Sequence, residues 1–186
     1  MALVRVAQPK VTYTDLQAWP DDGRRYELYD GEVEAIPSPL LIHQDAAQEI
    51  FVLLREYVRQ HGGKAAIAPI DIVFDERNVL QPDVVFFRAS RRHLLRRDQP
   101  IRIVPDLVVE VLTPGTARND RGRKMQTFAR FGVPEYWMTN PVEKTIDVWR
   151  LVAGTYELHA HAGPGGRIGS TALDQLEFEI DPIFEE

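Results

Sequence analysis

The stretch VVEVLTPGTARNDRGRKM, residues 108–125, opens with an apolar run whose single carboxylate is Glu110. Burying a carboxylate without a partner costs free energy, so such a side chain needs a counter-charge or a metal ion. A Thr-Pro-Gly-Thr turn and a polar segment of helical character follow the run, and that segment includes Lys124. The sequence therefore predicts that Glu110 acts together with a cation.

A second acid, Asp83, stands in a comparable position in QPDVVFF, residues 81–87. Proline is tolerated at the first position of a strand but not at its centre, so Pro82 places Asp83 at the beginning of a strand. Two acids on neighbouring strands can converge at one edge of a sheet, and oxygen ligands of this kind suit Mg²⁺ or Mn²⁺. A lysine nearby, such as Lys124, would complete a phosphodiester hydrolysis site. It would orient or deprotonate the attacking water, or stabilise charge on the phosphate.

Each of these residues also has a purely structural interpretation. An acid that follows proline is a common turn or cap residue, which is the alternative for Asp83. Asp120 stands four residues before Lys124, and an exposed pair of this spacing on a helix is routine. For Glu110 the functional interpretation is favoured, because an acid inside a buried strand needs a reason.

Three further residues are candidate neighbours of the site. His43 begins a long helical pattern and could hydrogen-bond a phosphate or a metal-bound water, or equally cap or pack locally. Glu27, in YEL, and Asp71, in PIDIVF, could stand near the site, or could instead pair with arginines such as Arg24 or Arg25.

The elements that must position these residues follow from periodicity. Apolar residues from Leu40 to about His61 recur at spacings of three and four, which predicts one amphipathic helix that ends at Gly62-Gly63. A second helix is predicted in TARNDRGRKMQTFARFG, and a short helix in TYTDLQAWP with Thr14 as a possible N-cap. Strands are predicted in RYELYDGEVEAIP around Asp30-Gly31, and in KAAIAPIDIVFD, VLQPDVVFF, DLVVEVL, PEYWMTN, TIDVWRL and TYELHAH. The end of the chain, LEFEIDPIFEE, could add an edge strand and a short terminal helix. The fold class is mixed α/β, with strands in the middle and two main helices.

Bulk composition limits the class of protein. A chain of 186 residues, 44% of them apolar, predicts a single domain, residues 1–186, with a real core. It has no cysteine, no apolar run long enough to span a bilayer and no signal-peptide core, so we expect a cytoplasmic protein.

The net charge of −6 argues against nonspecific coating of nucleic acid, but basic residues are clustered at 88–97 and 117–124. These runs are either solvated loops, a subunit contact, or contacts to a DNA backbone, for which the candidates are Arg91, Arg92, Arg118, Arg121 and Arg123.

From about Tyr26 to Leu151 the chain resembles the "putative restriction endonuclease" family, a branch of the PD-(D/E)XK nuclease superfamily. The resemblance is carried by YELYDGEV at 26–33, by Pro37 to Gln44, by QPDVVFF, and by PDLVVEVLTPGTARNDRGRKMQTFARFGVPEYWMTNP at 105–141. The family's aspartate falls on Asp83, its glutamate on Glu110 and its displaced lysine on Lys124, because the usual lysine position holds Leu112. A second Pro-Asp, at 105–106, lies on the same strand as Glu110 and is the wrong element for an opposed ligand.

The resemblance implies a restriction-endonuclease-like fold, in which a central mixed β-sheet is flanked by α-helices. It also implies a Mg²⁺-dependent nuclease site, with Asp83 and Glu110 as metal ligands and Lys124 beside the attacking water, but it does not imply a substrate. From this site we predict an endonuclease that hydrolyses DNA phosphodiesters with Mg²⁺ or Mn²⁺. Nucleases of this kind often act as dimers, so a homodimer or higher homo-oligomer is expected. The alternative is a catalytically silent module of the same fold that binds nucleic acid or a protein partner.

Overall fold

Strands and helices alternate along the chain before a C-terminal run of strands. The computed structural model describes residues 9–113, 115 and 117–185, and the side chain of Arg118 lies outside this description. In chain order the elements are α1 (Tyr13–Gln17), β1 (Arg25–Tyr29), β2 (Glu32–Ile36), α2 (Leu41–His61), β3 (Lys64–Ile67), β4 (Ile72–Asp75), β5 (Asn78–Leu80), β6 (Val84–Phe87), β7 (Leu107–Val111), α3 (Ala117–Asn119), α4 (Met125–Arg130), β8 (Glu135–Asn140), β9 (Thr145–Val152), β10 (Thr155–Ala162), β11 (Arg167–Gly169) and β12 (Glu177–Glu179). Short 3₁₀ turns span Ala89–Leu94 and Asp181–Ile183, and a π-helical turn, Asp120–Lys124, joins α3 to α4.

A six-stranded mixed sheet in the order β10-β9-β8-β7-β6-β3 forms the centre of the fold. Only β7 and β8 pair in parallel, and the α3–α4 crossover connects them. All five residues of β7 are buried, which agrees with the continuous apolar run that predicted a strand covered on both faces.

The two faces of this sheet are covered by different elements. On one face α2 packs its buried side chains, including Ile50 and Leu54, against strand residues such as Val109. On the other face lie α4, which contributes Phe128, and a second sheet of order β2-β1-β5-β4. The mixed α+β class, with a central mixed sheet flanked by helices, is therefore confirmed.

Several local predictions need correction. The N-cap of α1 is Thr12, not Thr14, because Thr12 and Asp15 form a reciprocal capping box. The segment KAAIAPIDIVFD forms two strands in different sheets, β3 and β4, on either side of the Ala68-Pro69 cis peptide. The predicted hairpin turn at Asp30-Gly31 is confirmed, with positive φ at both residues.

No helix in the described part of the chain has the length and apolarity needed to cross a membrane.

Candidate active site

Asp83 and Glu110 lie beside each other at one edge of the central sheet. The antiparallel register of β6 and β7 pairs Val84 with Val109, so the next pair in that register is Asp83 with Glu110. The Oδ2 atom of Asp83 accepts a hydrogen bond of 2.8 Å from the backbone N–H of Val111. The strand that carries one acid therefore fixes the side chain of the other.

Lys124 reaches this pair from the helical crossover. Its Nζ atom lies 2.8 Å from Oε1 of Glu110, 3.1 Å from Oε1 of Glu27 and 3.9 Å from Oδ1 of Asp120. The π-helical turn Asp120–Lys124 directs both Lys124 and Asp120 into the protein, where both are buried. The structural alternative for Lys124, an exposed pair with Asp120, does not hold, since neither side chain is exposed.

Glu27 anchors the lysine rather than pairing with an arginine. Its Oε2 atom accepts a 2.6 Å hydrogen bond from the Tyr29 hydroxyl, and its Oε1 atom accepts one of 2.8 Å from the backbone N–H of Gln81. Asn119 in turn donates to the Tyr29 oxygen at 3.1 Å. Glu27 is thus a rigid acceptor that holds the Lys124 ammonium against Glu110.

His43 contacts the site directly and Asp71 only through a neighbour. The Nε2 atom of His43 lies 3.1 Å from Oδ2 of Asp83, while its Nδ1 atom is buried and has no hydrogen-bond partner among the residues that the structure describes. Asp71 accepts a 2.8 Å hydrogen bond from the side-chain amide of Gln81 and a 3.1 Å bond from the Tyr13 hydroxyl. Gln81 therefore links Asp71 to Glu27.

Several of these residues, but not Glu27 or Asp71, line a small cleft of about 50 Å³. Its lining includes His43, Asp83, Glu110, Asp120 and Lys124. Burial, and then the nearby Asp83, Asp120 and Glu27 carboxylates, outweigh the Lys124 ammonium and raise the pKa of Glu110 well above 4.5. Burial alone lowers the pKa of Lys124, but the Glu110 and Glu27 carboxylates outweigh it and raise that pKa above 10.5, so the lysine is charged.

The excess of negative charge and one orphaned oxygen fit a divalent cation. Oε1 of Glu110 is buried and forms no hydrogen bond of acceptable geometry, although the Lys124 nitrogen lies 2.8 Å away. Among the described residues, no three histidine, aspartate or glutamate side chains form a group that could hold a metal ion by themselves. Mg²⁺ commonly takes only one or two carboxylates and completes its shell with water and phosphate oxygens, so Asp83 and Glu110 suffice for such a site.

The candidate backbone-binding arginines are not brought together at the cleft. Arg91 lies beyond the other end of β6 and pairs at 3.0 Å with Asp106, the acid of the second Pro-Asp. Arg92 lines a different pocket. Arg123 is held by Glu32 at 2.6 Å and stacks over Tyr29, whereas Arg121 is exposed.

Sequence reasoning gave no site role to Tyr29, Gln81, Asn119 or Asp120. Asp120 was considered only as a surface partner of Lys124, although it is 2% exposed. The sequence did carry a signal for Gln81, because it immediately precedes the Pro-Asp of QPDVVFF. Tyr29 stands only two residues from Glu27, but nothing in the local sequence indicates Asn119, since its partner Tyr29 lies 90 positions away.

Comparisons with known proteins identify the family and the fold of this chain. The Uma2 family model, described as "Putative restriction endonuclease", matches residues 13–181. A solved structure described as a putative nuclease of DUF820 from Anabaena variabilis ATCC 29413 superposes with a TM-score of 0.75 at 20% identity, over 94% of this chain and 97% of that one. At this level of identity the likeness establishes the fold, which is restriction-endonuclease-like. No curated protein matches the sequence significantly.

Proposed function

This chain belongs to the Uma2 family, and we propose that it is a metal-dependent endonuclease that hydrolyses DNA phosphodiester bonds. The observation that carries the proposal is the contact between Lys124 Nζ and Glu110 Oε1, 2.8 Å, beside Asp83 on the adjoining strand. Two acids and a lysine from separate elements meet in this cleft. Burying such charges costs free energy, and clusters of this kind are found mostly at functional sites.

In this proposal Asp83 and Glu110 hold Mg²⁺ or Mn²⁺. The bound ion supplies a Lewis acid for the phosphoryl oxygen and lowers the pKa of a water molecule. Val111 N–H and His43 fix the Asp83 carboxylate through contacts of 2.8 and 3.1 Å. Orientation of a metal ligand by such contacts is a common requirement of metal sites.

Lys124 acts in this proposal as a hydrogen-bond donor rather than as a base. Its pKa is raised above 10.5, so it keeps its proton at neutral pH. A fixed ammonium can orient the attacking water and stabilise the charge that builds on the phosphate oxygens. Glu27, held by Tyr29 and Gln81, keeps that ammonium in place. Since one site cuts one strand, we propose a homo-oligomer for cleavage of duplex DNA.

Cleavage of supercoiled and linear DNA in Mg²⁺ and in Mn²⁺ tests this function. We expect Asp83→Asn and Glu110→Gln to lose metal-dependent cleavage, and Asp83→Asn to lose Mn²⁺ binding measured by calorimetry. Asp106→Asn is the matched control, because Asp106 is the other Pro-Asp aspartate, is buried, and lies next to the far end of β7. Cleavage by Asp83→Asn equal to wild type would refute the proposed site. Absence of cleavage by all folded proteins, with DNA still bound, would support a silent binding module.

A further inference from the structure

A large pocket of the described structure lies apart from the cleft that holds Glu110 and Lys124. It has a volume of about 860 Å³ and lies beside the edge strand β3 and the basic segment 92–101. Its walls combine apolar side chains, such as Phe87, Leu95 and Ile101, with four cations, Lys64, Arg92, Arg96 and Arg97. A volume of this size accommodates a ligand of one or a few nucleotide units, by comparison with ligand pockets of about 300–1,000 Å³.

The cations of this pocket are available to a ligand. Within the residues described, Lys64, Arg92, Arg96 and Arg97 form neither an ion pair nor a side-chain hydrogen bond. The acids in the wall are Asp98 and Asp71, and Asp71 is already bound by Gln81 and Tyr13. The pocket therefore has an excess of uncompensated positive charge in a protein whose net charge is −6.

A chain of depressions connects this basic pocket to the catalytic cleft. A smaller depression shares Tyr13 and Asp71 with the basic pocket, and shares Arg25 and Gln81 with the cleft. Its rim includes Trp19, which is 42% exposed and meets Tyr26 edge to face at 5.4 Å between ring centroids. An exposed aromatic ring between a cationic pocket and a phosphodiester site is an arrangement that suits stacking of unpaired bases.

We propose that the basic pocket and this depression bind a single-stranded extension of the nucleic acid whose phosphodiester lies in the cleft, an inference that rests on the proposed nuclease function. Phosphates contact Arg96 and Arg97, and an unpaired base enters between the apolar walls. A paired duplex cannot place a base in a concave pocket of this kind. Phe87 lies four strand residues from Asp83, or about 13 Å at the rise of a β-strand. That distance equals roughly four stacked nucleotides at the spacing of B-form DNA.

Binding in EDTA tests the proposal without any cleavage. The probe is a labelled duplex with a short oligothymidine tail at its 3′ or 5′ end, compared with the same duplex blunt-ended, by fluorescence anisotropy. We expect wild type to bind one tailed duplex about tenfold more tightly than the blunt one, as the stacking of a single base would give. The Arg96→Gln/Arg97→Gln variant is expected to lose this preference. Its dependence of log K on log salt should flatten by about 1.4, the effect of two lost phosphate contacts on a single strand.

The control variant is Arg55→Gln/Arg59→Gln, which removes the same charge from exposed positions on α2. It should keep the preference for the tailed duplex. Equal binding of tailed and blunt duplexes by wild type, or equal loss in both double variants, would overturn the proposal. A tail preference without metal-dependent cleavage would leave the pocket assignment standing and refute the nuclease function. Metal-dependent cleavage without a preference for the tailed duplex would support the nuclease function and refute the assignment of the pocket.

Discussion

Replacing Lys124 with methionine tests whether the lysine neutralises the buried acids. Methionine preserves the length and apolar stem of the side chain but removes the ammonium. The substitution removes the positive charge that lies 2.8 Å from Glu110, 3.1 Å from Glu27 and 3.9 Å from Asp120. Each of these acids is no more than 2% exposed, so water cannot take the place of the ammonium.

The expected cost follows from burial. Removing one partner of a buried ion pair typically lowers the free energy of unfolding by about 3–5 kcal/mol. For a chain of this size each kcal/mol shifts Tm by about 2–4 °C, so Tm should fall by about 6–20 °C. Lys10→Met is the matched control, since Lys10 lies 3.3 Å from Glu32 but the pair is 44% and 61% exposed. Its loss should stay below about 1 kcal/mol.

The assay is urea and thermal unfolding in EDTA between acidic and neutral pH. The deficit of Lys124→Met should shrink as the pH falls, because protonation removes the unbalanced carboxylate charge. Adding Glu110→Gln to Lys124→Met should recover part of the lost free energy, since one acid is then neutral. A deficit below about 1 kcal/mol, or one that neither low pH nor the second substitution reduces, would refute the reasoning.

Three further predictions concern charge and backbone. Because burial and neighbouring acids raise the pKa of Glu110 above 4.5, the native state binds a proton that the unfolded chain releases. Wild-type stability in EDTA should therefore fall relative to Glu110→Gln as the pH rises through that pKa, and parallel denaturation curves that never diverge would contradict this. Glu135→Ala should cost about 3 kcal/mol or more in urea unfolding, because it removes the acceptor of the Trp137 Nε1 and Thr171 N–H donors, now bonded at 2.6 and 2.5 Å. A smaller loss would argue for replacement by water. Gly63→Ala, at φ +98° with a new Cβ 2.5 Å from a carbonyl oxygen, should lower Tm more than Gly154→Ala, at φ +86° in open space, and equal shifts would count against it.

The acid pair was predictable from the sequence and the lysine was not predictable from spacing. Pro82 marks where the strand of Asp83 begins, and an acid inside an apolar run marks Glu110, so both signals are local. Helical periodicity gives Lys124 only an exposed partner at Asp120, and the resemblance alone assigned it to the site. The π-helical turn that buries both side chains is a winding that no simple repeat of apolar residues encodes.

The direction of β6 explains why the basic run at residues 88–97 does not lie beside the cleft, as its closeness to Asp83 in sequence had suggested. Residues 88–97 adjoin the strand of Asp83 in sequence, which made Arg91 and Arg92 candidates for contacts to a DNA backbone at the cleft. They follow the far end of β6, so the length of the strand separates Arg91 from Asp83. Adjacency in sequence does not identify the edge of the sheet at which a loop emerges. Glu27 was named as a neighbour, but its binding of Lys124 depends on a contact across 97 positions of the chain (124 − 27).

The position of the Lys124 side chain also depends on the number of residues in the π-helical turn. A regular α-helix advances by about 100° per residue, so the deletion of one residue between Asp120 and Lys124 would restore ordinary winding and turn the two ends of the crossover relative to each other. Because Phe128 is packed in the core on one face of the sheet, α4 would keep its orientation and the turn that carries Lys124 would rotate instead. Insertions and deletions in this turn, more than substitutions, are therefore the changes by which a protein of this architecture would gain or lose its cation.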